Sequence, residues 1–521
     1  MPDDGVMTRP PRSTAEPTSG GQEAADARDL AGFGYKQELK RILGVYSSFA
    51  VAFSYISPST GIFTLFAPIG LAIAGPFFFW SWPLVALGQF LVALNFAEIS
   101  SHFPVAGSVY QWTKYLSNRH YSWFTGWIYL FAGVLTVTAV DATIPIVLIP
   151  LLNNLGVGIT STLTSEIVIA ALVLASTTLL NIYGVRLVAL VNNTGVVFEI
   201  LGMVVFALVL LIFYHHQSAG VIFDTSYLGS GGFTSHAGVF LAAMFMSLFV
   251  IYGFDTASTL AEETKNPRVE APKAVLGSIV GAFIIGGIFL YSTLVAIPDM
   301  AKFVSGAGSA TILSPADIFN AVMPKWLASV YLLIVLAAIY VCCLAIQTST
   351  IRLAFGMARD GKLPLSRFYR RVSPTLHTPV GVCLVVGVLA AIPLTYGANA
   401  ILLATGATGL IYLSYMLGNI AVLRARMKGW PTERAPFKLG SWGTVVNVLA
   451  ILWGAAMIVN FLWPRITSNP NLSALPNYPS WLGAIGGVSI FEATIGLILL
   501  VGVLYYLVAQ LPKREPAAQA A

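Results

Sequence analysis

Charge is scarce in this sequence. Asp, Glu, Lys and Arg make up 10% of its 521 residues and the apolar class 57%, whereas a soluble globular chain carries about 25% charged residues. That shortage excludes a large soluble domain and points to an integral membrane protein. Cysteine is scarce too: Cys342, Cys343 and Cys383 all lie in apolar segments, which leaves neither a disulfide framework nor a zinc-type spacing. The six histidines are scattered, and His215-His216 has no acidic or cysteine partner at metal spacing, so no metal is expected. No GxxxxGK[ST] phosphate cradle occurs, which removes the engine of an ATP-driven pump. No nucleophile stands near a base at suggestive spacing, so an enzyme is not expected, nor is a cofactor. The net charge of +6 reads as lipid and topology, not as nucleic-acid binding.

What the chain has in quantity is long apolar runs. About 20 residues cross a bilayer as a helix, and twelve candidate spans follow residue 40. They lie near 42–66, 70–97, 121–149, 164–183, 188–214, 237–259, 272–297, 326–357, 379–396, 400–424, 442–463 and 483–508. Residues 1–36 are rich in Pro, Gly, Ser, Thr, Ala and charge and read as a disordered tail; residues 511–521 read as a second tail. With the N-terminus inside, all but Lys302, Lys325 and Arg465 of the 28 Lys and Arg fall on the cytoplasmic side. The positive-inside rule therefore predicts a multi-pass protein of the cytoplasmic membrane with both termini cytoplasmic.

Two of these runs are interrupted where the bilayer is deepest. The first contains SYISPSTGIF (54–63), and Pro58 and Gly61 cost about 3 and 1 kcal/mol in a helix interior. The sixth contains Tyr252-Gly253-Phe254-Asp255-Thr256. An offset of five spans makes 37–214 and 215–424 two repeats of odd helix number, the second inserted upside down, with 425–510 holding the last two spans. Paired breaks at corresponding positions of inverted repeats point to a central transport site. The N–H groups of Ser59, Thr60, Gly61 and Ile62, with Ser57 before them, would start a half-helix whose positive dipole end suits a carboxylate. Carbonyls around Phe249, Val250 and Tyr252, beside Gly253 and Phe254, would suit an ammonium or a coupling cation. A bound polar solute would satisfy backbone groups that hydrocarbon leaves bare.

The stretches AEISSHFPVAGSVYQW (97–112), GFDTASTLAEETKNPRVEAPKA (253–274) and RLAFGMARDGKLP (352–364) resemble the amino acid-polyamine-organocation superfamily. SPSTGIFTLF and LVNNTGVVFEILG look most like its amino acid/choline transporter branch. The resemblance implies an all-α leucine-transporter-type fold with a five-plus-five inverted repeat. It also implies secondary active uptake of an amino acid, 4-aminobutyrate, choline or polyamine. In related proton-coupled permeases a lysine stands near the middle of span five; matching NNTGVVFEI to that stretch puts Glu199 there, with the charge reversed. Glu199 is accordingly expected to carry a proton or to bind sodium, and either ion remains open, as does a facilitator or exchanger of the same fold. In sodium-coupled relatives span-eight hydroxyls complete the ion site, which singles out Thr348 and Ser349 facing span one.

Intramembrane carboxylates cost about 2.5–3.5 kcal/mol at a helix centre and are seldom idle. Asp141, some twenty residues into span three, is expected near the outer interface, as a solvated vestibule group or a selectivity residue. Asp255 is expected either to cap the inner half-helix of span six or to join ion coupling. Tyr340 and Phe254 are candidate aromatic gates.

Overall fold

The computed structural model describes residues 19–229, 232–309, 311–312, 314–395, 400–431, 435–463 and 490–512. No β-strand occurs among them, and they fold almost wholly into helices. Helix α1 is Ser19–Ala31, within the segment expected to be a disordered tail; α2 is Val45–Ile56, α3 Pro58–Leu65 and α4 Ser81–His102. Next come α5 (Arg119–Asp141), α6 (Ile144–Asn154), α7 (Leu163–Tyr183) and α8 (Val185–Phe213). The second half contains α9 (Phe233–Ala243), α10 (Phe245–Val250), α11 (Thr256–Thr259), α12 (Pro267–Val295), α13 (Lys325–Arg359), α14 (Val380–Leu394) and α15 (Ala400–Met427). The last helices are α16 (Gly443–Leu462) and α17 (Ile490–Tyr505); the expected start of span twelve, 483–489, lies outside the described residues.

Eight helical stretches are long and apolar enough to cross a membrane, one of them, Val45–His102, holding both of the first two spans, and three shorter apolar helices accompany them. Both expected breaks are present. Span one stops at Ser57, whose φ of +33° is left-handed, a conformation that costs a non-glycine residue about 1–3 kcal/mol. Span six stops at Val250 and resumes at Thr256, with Gly253 at φ +90°. Span two starts later than its apolar run suggests: residues 66–80 form short π and 3₁₀ turns, because Gly75 turns at φ +55° immediately before Pro76. Span three is longer than expected, since α5 and α6 form one helical stretch of 36 residues from Arg119 to Asn154. At 1.5 Å per residue that is about 54 Å, well beyond the roughly 30 Å of hydrocarbon, and a turn at Ala142 and Thr143 separates its two helices.

Helices α2 and α4 pack on α12, α8 on α13, and α5 along α15 and α13. Glycines set the closest approaches. A Cβ at Gly195 would lie 2.3 Å from Val341, and one at Gly133 2.5 Å from Thr350.

One end of the bundle is pinned by charge. Glu262 holds Arg359 at 2.7 Å, Glu263 holds the fully buried Arg352 at 2.9 Å, Asp360 holds Lys114 at 2.8 Å, and Glu98 meets Arg426. The N-terminal segment straps across this end. Asp29 pairs with Arg268 at 2.7 Å, Tyr35 donates to Asp360 at 2.8 Å, and the Arg359 guanidinium lies 3.7 Å over the Tyr35 ring. Burial and the neighbouring Asp360 carboxylate push the Tyr35 phenol well above its ordinary range. The backbone N–H groups of Ile42 and Leu43 both donate to Glu263 O at 2.9 Å, and Lys265 returns one to Leu43 O.

Candidate functional site

The two breaks face each other in the core. Gly61 of α3 meets Val250, the last residue of α10, so closely that a Cβ there would lie 2.3 Å from Val250 Cγ2. At Gly253 a Cβ would lie 1.9 Å from the Tyr55 ring. The ten residues expected to line the site are Ser57, Ser59, Thr60, Gly61, Ile62, Phe249, Val250, Tyr252, Gly253 and Phe254, and all are buried.

Each break frees backbone groups. A continuous helix would give the Phe249 carbonyl the Gly253 N–H, but that N–H donates to Tyr415 OH at 2.9 Å. The Thr256 N–H, which Tyr252 O would otherwise accept, goes to Gly253 O. In span one Pro58 has no N–H to offer Ser54, and Tyr55 O accepts the Cys342 thiol at 3.5 Å.

The start of α3 is already occupied by a carboxylate of the chain itself. Glu199 Oε1 accepts from Ser57 Oγ at 2.7 Å and Ser59 Oγ at 2.6 Å, and the Ser59 N–H also faces it. The dipole end expected to suit a carboxylate is therefore occupied by that of Glu199. Its position explains this: Glu199 is fourteen residues from either end of α8, at the depth of the break. Ser57 Oγ continues the chain of hydroxyls to Thr60 Oγ1 at 2.7 Å.

Asp255 is differently held. It stands at the N-terminus of α11 but makes no side-chain cap bond, so the expected capping role is not the one it takes. Its carboxylate accepts from Ser108 Oγ at 2.6 Å and Tyr129 OH at 2.5 Å, and from Tyr415 OH. Hydrogen bonds to a charged group contribute about 1.5–3 kcal/mol each, so this cage ties span six to spans three and ten. Tyr129, Tyr415 and Ser108 were not foreseeable from sequence, since a hydroxyl in an apolar helix does not announce its partner.

Span eight is rotated relative to expectation. Thr348 donates to Asn181 Oδ1 at 2.8 Å and to its own Leu344 O at 2.7 Å, facing span four and not span one. Ser349 accepts from Thr256 Oγ1 at 3.3 Å and so belongs to the span-six break. Cys342 of span eight donates its thiol to Tyr55 O of span one. Tyr340 bonds Ser176 at 3.0 Å and lines an apolar groove of about 540 Å³ between α8 and α13, apart from the breaks. Phe254 packs on Tyr415 at 5.4 Å and Phe96 at 6.1 Å, while Tyr252 meets Tyr55 at 6.2 Å and Phe249 at 6.0 Å.

Asp141 is fully buried, which corrects its expected place in a solvated vestibule. It lies beside Cys343, and the adjacent Cys342 is seventeen residues from either end of α13. Asp141 is a mid-depth residue.

Comparison with known proteins gives a consistent picture. A family profile described as "Amino acid permease" matches residues 43–491. The chain is 27% identical over 460 residues to the amino-acid permease BAT1 of Arabidopsis thaliana, covering 84% of this chain and 88% of that protein. It is 28% identical over 449 residues to the branched-chain amino acid permease BcaP of Bacillus subtilis, covering 83% and 90%. A crystal structure of MhsT in complex with L-phenylalanine shares the fold, with a TM-score of 0.55 at 15% identity over 80% of this chain and 97% of that one.

Proposed function

The chain belongs to the amino acid permease family, and on that premise we propose that it is a secondary active transporter that imports an amino acid by alternating access, driven by protons. The relatives named for amino acids and branched-chain amino acids favour that substrate class over choline, 4-aminobutyrate or a polyamine. The observation that carries the coupling is Glu199 bonded to Ser57 and Ser59 at the start of α3. A carboxyl there senses the break directly. When it is charged it competes with a substrate carboxylate for the positive dipole end of α3; when it is protonated it yields the Ser59 N–H and the Ser57 and Ser59 hydroxyls to substrate. Proton loading and substrate loading are then favourable together, as symport requires.

The freed carbonyls of Phe249 and Tyr252 stand across the break and suit the substrate ammonium, and Val250 against Gly61 is the contact that must part to admit it. The basic residues of the pinned end, including Arg352, Arg359 and Arg426, support placing that end and both termini in the cytoplasm, in the cytoplasmic membrane. A second reading, sodium in place of the proton, draws on the bare carbonyls of the span-one break beside Glu199.

The test is uptake in liposomes. The purified protein is screened with labelled amino acids, 4-aminobutyrate, choline and putrescine, with imposed proton or sodium gradients. Accumulation of an amino acid above its external level under a proton gradient alone is expected. Glu199→Gln should lose accumulation and its pH dependence while still exchanging labelled for unlabelled amino acid. A strict sodium requirement transfers the coupling to the second reading, and uptake that merely equilibrates refutes active transport.

A further inference from the structure

We propose that Asp141 is a second proton-carrying carboxyl of this transporter, standing opposite Glu199 across the Cys342–Cys343 step of α13. The inference rests on the proton-coupled reading above and extends it to a residue that the reading does not use.

Four observations converge on Asp141. It is fully buried, and its carboxylate oxygens have no hydrogen-bond partner stronger than the Cys343 thiol that faces them. A carboxylate kept for structure is hydrogen-bonded, as Asp255 is by three hydroxyls and as buried polar groups generally are. Its depth is that of the breaks, since it faces the middle of α13. No Lys, Arg or His faces it from the helices packed around α5 among the described residues. The titratable groups that do face it are the Cys343 thiol and, beyond it, the Cys342 thiol, which lies between Asp141 and Glu199. An anion so placed has no counter-charge and no donor but a weak thiol.

The neighbours also identify the ligand. A sodium ion needs several converging oxygens, whereas two thiols face Asp141. A substrate ammonium needs an opening, and Asp141 is closed off; the face of α5 that meets span six is that of Thr136, whose hydroxyl lies 3.5 Å from Tyr252 OH. A proton needs neither. A polar track leads from Glu199 toward α5: Glu199 to Ser57 at 2.7 Å and Ser57 to Thr60 at 2.7 Å, then Thr64 on Thr60 O at 2.7 Å and on Thr143 Oγ1 at 2.9 Å, where it ends two residues beyond Asp141 without reaching the carboxylate.

The experiment measures the proton-to-substrate ratio in liposomes, from the pH gradient that balances a known gradient of the amino acid taken up best in the screen above. Asp141→Asn is expected to lower the parent ratio by one. Infrared difference spectra of the parent between acid and alkaline pH provide the second measurement: the carbonyl stretch of a protonated carboxyl should shift in Asp141→Glu and be missing in Asp141→Asn. The parent ratio in Asp141→Asn overturns the inference and leaves Glu199 coupling intact. A protonated-carboxyl spectrum identical in parent and Asp141→Glu overturns it as well, even if the Asn variant fails to fold. A parent that moves no protons overturns this inference and the proton-coupled reading together.

Discussion

Gly61 gives the sharpest quantitative test of the paired breaks. In Gly61→Ala the new methyl would stand 2.3 Å from Val250 Cγ2, 3.1 Å from Val250 Cβ and 3.3 Å from Val250 Cγ1. Real carbon contacts do not occur at 2.3 Å, so one helix end must move. Overpacking of a well-filled core costs about 1–3 kcal/mol, and at about 1.4 kcal/mol per factor of ten this is roughly a 5- to 150-fold weakening of whatever state keeps the contact. Val250→Ala removes both Cγ atoms and leaves a 3.1 Å contact that a small shift relieves. The double variant should therefore recover most of the loss, giving a coupling of about 1–3 kcal/mol in a double-mutant cycle. Scintillation-proximity binding of the labelled amino acid and thermal unfolding of the same samples separate an effect on binding from one on the resting fold. Strict additivity of the two single variants in both assays would refute the contact between the breaks.

Other outcomes follow from neighbouring geometry. Gly253→Ala combines a positive φ with a methyl 1.9 Å from the Tyr55 ring and should lose more binding than Gly61→Ala; Tyr55→Phe, which keeps the ring, should not rescue it in the same binding assay. Arg352→Ala leaves Glu263 charged and buried and should cost about 3–5 kcal/mol of stability, whereas the apolar pair Arg352→Met with Glu263→Leu should unfold near the parent temperature in a melting curve. Thr348→Val removes the Asn181 bond and should cost about 1 kcal/mol of stability with the half-saturating proton or sodium level unmoved; a shift in that level would return Thr348 to the ion site.

The span plan and both breaks were legible because they rest on backbone chemistry carried by single residues: Pro58 without an N–H, Gly253 without a Cβ. Glu199 was legible as an intramembrane carboxylate, but its docking on Ser57 and Ser59 depends on how α8 and α3 meet in space. The rotation of span eight was not legible for a physical reason. From Val341 to Ala358 every residue of α13 is buried, so no apolar face alternates with a polar one to reveal its phase, and each residue turns the direction by about 100°. Thr348 thus faces span four and not span one as expected. Asp141 was misplaced in depth because an apolar run marks what can lie in hydrocarbon, whereas the burial of its last residues is decided by packing against α13 and α15. The helical Ser19–Ala31 was hidden in a polar composition, and tertiary ties such as Asp29 to Arg268 hold it.

The strap at the pinned end has a mechanical consequence. Leu43, one residue before the N-cap of α2, is stitched by backbone hydrogen bonds to Glu263 and Lys265, and Ser48 of α2 meets Thr264 at 3.1 Å. The half of span one before its break and the half of span six after its break are therefore riveted together outside the site. They form one lever, and its two pivots are the residues whose backbone torsions are already unusual, Ser57 and Gly253. A lever with two pivots has a single axis through them, so in the proposed alternating-access cycle these half-helices would swing as a unit about the line joining the breaks, and opening that end would be one rotation, not two uncoordinated ones.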